Sequence, residues 1–155
     1  MESNASRYEF MAEPFHCDFS HHLFLGHLGN HLLNASDFHS DEHDFGVVYL
    51  NKRNATWVLS RLAIEMNEMP REYDKFIIET WIENVYRFFT NRNYAIQGLD
   101  GKVYGYARSI WAMIDKDSRQ PVDLLSIRGG AINEYMIPEK QVPIDKPSRV
   151  KMSDA

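Results

Sequence analysis

Phe19-Ser-His-His-Leu-Phe-Leu-Gly-His-Leu-Gly-Asn-His-Leu-Leu-Asn-Ala-Ser-Asp-Phe38 is the stretch on which the fold turns. Leu25, Leu28, Leu32 and Leu33 recur at helical spacing, with Ala35 beside them, so residues 19–38 read as a helix of about five turns. Asp18 and Ser20 are candidate N-caps. Gly26 and Gly29 weaken an isolated helix by about 1 kcal/mol each relative to Ala. Two glycines three apart on a buried helix point to close packing against a sheet. Residues 36–45 are polar and acidic and read as helix end and loop, and residues 46–51 read as a second, short helix.

Outward from the helix the chain is strand-rich. Residues 8–15 form a short strand ending near Pro14, and residues 57–66 form another, stopped around Pro70. Residues 75–87 carry Phe76, Ile77, Ile78, Trp81, Ile82, Val85 and Tyr86, the β-branched and aromatic content of a long strand. Residues 88–97 and 102–115 flank Asp100-Gly101, a hairpin signal. Residues 122–127 are apolar, residues 131–136 a possible short helix, and Pro138, Pro143 and Pro147 stand among charges in what reads as a linker. Strands and helices do not alternate, which argues against a parallel sheet. The pattern fits an α+β hotdog fold: one curved antiparallel sheet wrapped around a central helix. Residues 1–137 make a single such domain, and residues 138–155 an extended interdomain linker or tail.

Composition narrows the function. The 155 residues hold one cysteine, Cys17, so neither an intramolecular disulfide nor a cysteine-built zinc site is available. No run approaches the roughly 18 apolar residues of a membrane span, and residues 1–13 lack the pattern of a secretory signal. The cytoplasm is therefore the expected compartment. Residues 1–50 hold one basic and eight acidic residues, and residues 51–155 sixteen basic and fourteen acidic. With a pI near 5.8 and no basic run, nucleic acid is not an expected partner.

Several constellations bear on chemistry. All seven histidines lie between His16 and His43, with His27/His31 and His39/His43 four apart. Such pairs share a helix face, but neither carries the Glu of a metalloprotease motif, and no metal or cofactor is expected. Cys17 follows His16, yet neighbours in an extended chain point apart, so a structural thiol is the ordinary reading. Asp37, Asp41, Glu42 and Asp44 read as a solvated run. Asn34 and Asp37, three apart, can face a cleft together and are the in-chain catalytic candidates. Alternation along Trp57-Val-Leu-Ser-Arg-Leu62 puts Trp57 and Arg61 on one side and Ser60 on the other. A tryptophan and an arginine on one face suit a cleft with one polar end, and equally suit a packed Trp beside a snorkelling Arg. Arg108 lies in a similarly apolar strand.

Asn30-His-Leu-Leu-Asn34, Trp57-Val-Leu-Ser-Arg-Leu-Ala-Ile-Glu-Met66, Glu79-Thr-Trp-Ile-Glu83, Arg87-Phe-Phe-Thr-Asn-Arg92, Ala107-Arg-Ser-Ile-Trp-Ala-Met-Ile-Asp115 and Arg119-Gln-Pro121 resemble, in matching order, acyl-acyl carrier protein (acyl-ACP) thioesterases. The resemblance runs over about residues 8–147. It implies two tandem hotdog domains that hydrolyse the thioester of a fatty acyl chain on acyl carrier protein, in fatty acid biosynthesis. It also implies an N-terminal domain that shapes the acyl pocket, and a C-terminal domain carrying the catalytic residues in an Asn-x-His-x-Asn-Asn-like motif. That motif is absent here, so no catalytic residue carries over, and Asn34, Trp57, Ser60 and Arg61 transfer as candidate walls of the acyl pocket. Acyl carrier protein is acidic, and Arg71, Lys75, Arg87, Arg92 and Arg119 are candidates to steer it. Three readings follow: the acyl-pocket half of a tandem thioesterase paired with a second hotdog domain, a self-associating single-hotdog enzyme using Asn34 and Asp37, and a non-catalytic acyl-binding module.

Overall fold

The computed structural model describes residues 4–144. Its strands are β1 (Ser6–Met11), β2 (Ala55–Met66), β3 (Lys75–Val85), β4 (Phe89–Gly98) and β5 (Val103–Asp115), and its helices α1 (Leu25–Glu42) and α2 (Val47–Asn51). The strands form one antiparallel sheet in the order β1-β3-β4-β5-β2. Helix α1 lies across its inner face, where Leu28, Leu32 and Ala35 pack on Phe76, Ile78, Tyr94, Ile96 and Ala107. This is the hotdog architecture that the sequence pattern implies.

The sheet curves because its ladders slip. The register shifts between Leu59 and Arg61, between Ile82 and Asn84, and between Ile96 and Gln97. Such bulges bend a strand and increase its twist. Gly105 is required where β5 meets β2, since a Cβ there would stand 2.4 Å from the Glu65 carbonyl oxygen. Gly101, with φ +90, closes the β4–β5 turn as expected of Asp-Gly. A 3₁₀ segment, Leu124–Tyr135, joins residues expected as two pieces. Its Leu124, Ile127 and Ile132 pack with Phe45, Leu50 and Met113 at one end of the sheet.

Helix α1 departs from expectation at both ends. Asp18 and Ser20 cap a tight turn instead of the helix: Asp18 Oδ1 accepts the Ser20 N–H at 2.8 Å, and Cys17 bridges to Leu23. The helix starts after Phe24 with no side-chain cap. It then runs through the acidic stretch to Glu42, because Ser36, His39 and Ser40 are buried on its sheet-facing side. Gly26 and Gly29 do not mark close packing. A Cβ at either would meet nothing within 4 Å, because both lie off the Leu28–Leu32–Ala35 stripe.

The outer face of the sheet is covered at its centre by the chain after Tyr135. Trp81, Ala95 and Val142 form a small cluster there with Tyr106, Ile137 and Ile144. Trp81 Nε1 donates to the Lys140 carbonyl at 2.8 Å. Of the stretch expected as a linker, residues 145–155 lie outside the described residues. No helix among the described residues is long and apolar enough to cross a membrane.

Candidate functional site

A cavity of about 290 Å³ opens between α1, α2 and the inner face of the sheet. Leu33, Val47, Trp57, Ile82 and Trp111 supply its apolar walls. Asn34, Ser36, Asp37 and Ser40 enter from α1, and Thr56, Thr90 and Arg92 from the strands. The helix supplies polar groups here because its buried stripe changes character, from Leu28 and Leu32 to Ser36 and Ser40 at the same four-residue spacing.

The deepest polar groups form two networks. Ser36 Oγ donates to the Leu32 carbonyl at 2.9 Å and lies 2.6 Å from the Tyr94 hydroxyl. The Tyr94 hydroxyl is in turn 2.8 Å from Ser109 Oγ, which accepts the Trp111 indole N–H at 2.8 Å. The second network centres on Arg92, whose guanidinium donates to His39 Nδ1 at 3.0 Å, Thr80 Oγ1 at 3.1 Å and Ser40 Oγ at 3.3 Å. His39 Nε2 is 2.7 Å from the Asn4 carbonyl, so it carries the ring proton and Nδ1 accepts. Burial first, then the Arg92 charge, lower the His39 pKa to about 3 and keep the ring neutral.

The candidate residues divide between the two sides of the sheet. Asn34, Asp37 and Trp57 line the cavity together. Asp37 Oδ1 also accepts the Val47 N–H at 2.9 Å, which anchors α2 to α1. Trp57 donates its indole N–H to the Phe45 carbonyl at 2.8 Å. Ser60 and Arg61 sit instead in a groove on the outer face, with Phe88, Phe89, Ile110 and Pro121. Ser60 is the extra residue of the β2 bulge, so the alternation changes phase there. Trp57 faces in before the bulge and Leu62, Ile64 and Met66 face in after it. Trp57 and Arg61 therefore do not share a face.

The candidate steering charges also divide. Arg92 is buried and faces inward. Arg71 and Lys75 lie at one end of β3 and Arg87 beyond the other, about 35 Å away by strand rise. Arg87 pairs with Asp123 at 3.1 Å. Arg108 points outward into a buried ion pair with Glu83 at 3.3 Å. His16 stacks on His27 with ring centroids 4.1 Å apart. Among the described residues no three His, Cys, Asp or Glu side chains are grouped so as to hold a metal ion. Partial burial, then Glu72 and Asp18, push the Cys17 thiol up, away from the reactive thiolate.

A family model for the acyl-ACP thioesterase N-terminal domain matches residues 4–126. The chain belongs to that family. It is 53% identical to an acyl-ACP thioesterase from Bacteroides thetaiotaomicron, whose crystal structure superposes with a TM-score of 0.86 over 96% of this chain and 59% of that one. It is 30% identical over 89 residues to oleoyl-acyl carrier protein thioesterase 1, chloroplastic, of Arabidopsis thaliana, covering 57% of this chain and 24% of the relative. The 12:0-ACP thioesterase from Umbellularia californica shares the fold, with a TM-score of 0.76 at 18% identity over 100% of this chain and 64% of that one. The chain thus spans about a quarter of the plant relative and 59% of the bacterial one.

The cavity also takes in residues that sequence reading passed over: Ser36, Ser40, Thr56, Thr90 and Trp111. The available signal was the four-residue stripe Leu28, Leu32, Ser36, Ser40, in which an apolar face turns polar without leaving the sheet.

Proposed function

We propose that this domain is the acyl-pocket half of a cytoplasmic acyl-ACP hydrolase of fatty acid biosynthesis, and that the cavity between α1 and the sheet receives the fatty chain. The observation that carries the proposal is the inner cavity itself, with Leu33, Val47, Trp57, Ile82 and Trp111 around it. Each methylene buried against such walls contributes about 0.8 kcal/mol. A slot between two layers contacts a chain on all sides, which a groove on one sheet face does not. The thioester is cleaved by water under groups that a second hotdog domain supplies. The sheet ends on β2, twelve residues long with a neighbour on one side only, and such an edge favours pairing with another sheet. The acyl carrier protein docks where the cavity opens.

Release of fatty acid from acyl-ACPs of graded length by the whole gene product tests this reading. Turnover is expected, and Leu33→Trp, which fills the cavity, is expected to shift the preference to shorter chains. No hydrolysis at any length, or an unchanged preference in a folded Leu33→Trp protein, overturns it. A second reading, a self-associating enzyme, draws on Asn34 and Asp37 facing the cavity together. It requires that the 155-residue chain alone hydrolyse acyl-ACP and that Asp37→Asn abolish this.

A further inference from the structure

The cavity is more polar than an alkyl chain needs, and its polar groups are not fully used by the protein. Arg92 is 4% exposed. A guanidinium carries five N–H donors, and three are taken by His39 Nδ1, Thr80 Oγ1 and Ser40 Oγ. Those acceptors are held in place: His39 Nε2 bonds the Asn4 carbonyl, and Thr80 Oγ1 donates to the Asn93 carbonyl at 3.0 Å. The remaining two donors have no acceptor among the described residues. No carboxylate among them lies within the 4.0 Å of an ion pair with Arg92. Thr90 is 3% exposed, lines the same cavity, and its hydroxyl makes no hydrogen bond within the described protein. Asp37 lines the same cavity, and among the described residues only one of its oxygens, Oδ1, accepts a hydrogen bond, from the Val47 N–H at 2.9 Å.

We propose that this cavity is built for an acyl chain bearing a hydroxyl group, which Arg92, Thr90 and Asp37 hold by hydrogen bonds. The inference rests on the reading of the cavity as the acyl pocket and names the substrate class. A plain alkyl chain pressed onto these groups would strip water from them and return nothing, and unpaired buried donors are costly. A carboxylate would satisfy Arg92 but would face Asp37 across the same cavity. A hydroxyl matches both, because it accepts from a guanidinium and donates to a carboxylate. Sites built to bond a substrate hydroxyl discriminate strongly against analogues without one, since their own polar groups are then left unpaired.

Trp57 and Trp111 line the cavity and report occupancy by fluorescence. The 155-residue chain is titrated with methyl dodecanoate, methyl 3-hydroxydodecanoate and methyl 12-hydroxydodecanoate. At least one hydroxy ester is expected to bind about tenfold or more tightly than methyl dodecanoate, with the advantage lost in Arg92→Met and reduced in Thr90→Val and Asp37→Asn. Asp37→Asn keeps the acceptor for Val47, and Thr90→Val keeps the side-chain shape, so the test stands even where Arg92→Met does not fold. Equal binding of all three esters overturns the hydroxyl site and leaves the acyl pocket standing. A hydroxy preference unchanged in every folded variant overturns the assignment to these residues. Binding of none overturns the pocket reading and this inference with it.

Discussion

Arg92 on β4 and Arg108 on β5 are both buried, yet they point to opposite faces of one sheet. Arg108 faces out, onto Glu83 at 3.3 Å, and donates to the Val142 carbonyl at 3.0 Å. Glu83 is itself held by Asn93 at 2.9 Å and Asn84 at 3.1 Å, and the chain around Val142 lies over the pair. Arg92 faces in, is held only by neutral acceptors, and borders a cavity. A buried charge with a buried counter-charge serves the fold. A buried guanidinium held only by neutral groups beside a cavity has N–H donors left over for a ligand. The outer face is therefore read as structural scaffold and the inner face as the working side.

The largest expected effect breaks the scaffold. Glu83→Ala leaves Arg108 charged and unpaired, and is expected to cost about 3–5 kcal/mol in urea unfolding. Arg92→Met strands hydroxyl and imidazole acceptors but no carboxylate, and is expected to cost about 1–2 kcal/mol. Equal losses would erase the distinction between the two arginines.

A pH titration sharpens the inner side. His39 is neutral in the folded protein, with its pKa lowered to about 3, and ordinary when unfolded. Below about pH 6.5 the unfolded chain therefore binds a proton that the folded chain refuses, and stability is lost as pH falls. Between pH 6 and 5, above the carboxylate range, this one group is expected to contribute a slope approaching 1.4 kcal/mol per pH unit, about the value of one proton. His39→Gln should reduce the slope by that amount and leave the contribution of His31, whose pKa burial also lowers. A slope unchanged by the substitution would place the titrating group elsewhere.

The smallest effect lies in the network behind the cavity. Ser36→Ala removes one partner of the Tyr94 hydroxyl but leaves Ser109, and is expected to cost about 1 kcal/mol in the same unfolding measurement. A loss matching Glu83→Ala would mean that the inner face too is scaffold.

Much of the fold is legible in the chain. The leucine spacing of α1, the aromatic run of β3 and the Asp100-Gly101 turn each state a local preference that the tertiary structure keeps. The acidic stretch after Phe38 reads as loop because composition cannot show that His39 and Ser40 lie against the sheet. The start of α1 is misplaced because Asp18 and Ser20, good caps by type, are used by a turn four residues earlier. The site is half legible. Asn34, Asp37 and Trp57 meet in one cavity, whereas Ser60 and Arg61 face the other way. Nothing in Trp57-Val-Leu-Ser-Arg-Leu62 marks a bulge: it has no glycine or proline, and a slipped ladder is decided by the partner strand. Arg92 reads as a surface charge because one arginine in a polar stretch looks like any other until its burial is known.

The most direct measurement is a crystal structure of the 155-residue chain with 12-bromododecanoic acid, its bromine located by anomalous scattering. The bromine is expected in the inner cavity, beside Leu33, Trp57 and Trp111. Bromine in the outer groove beside Phe88, Phe89 and Ile110, or at no defined position, would contradict the assignment of the inner face as the acyl-binding side.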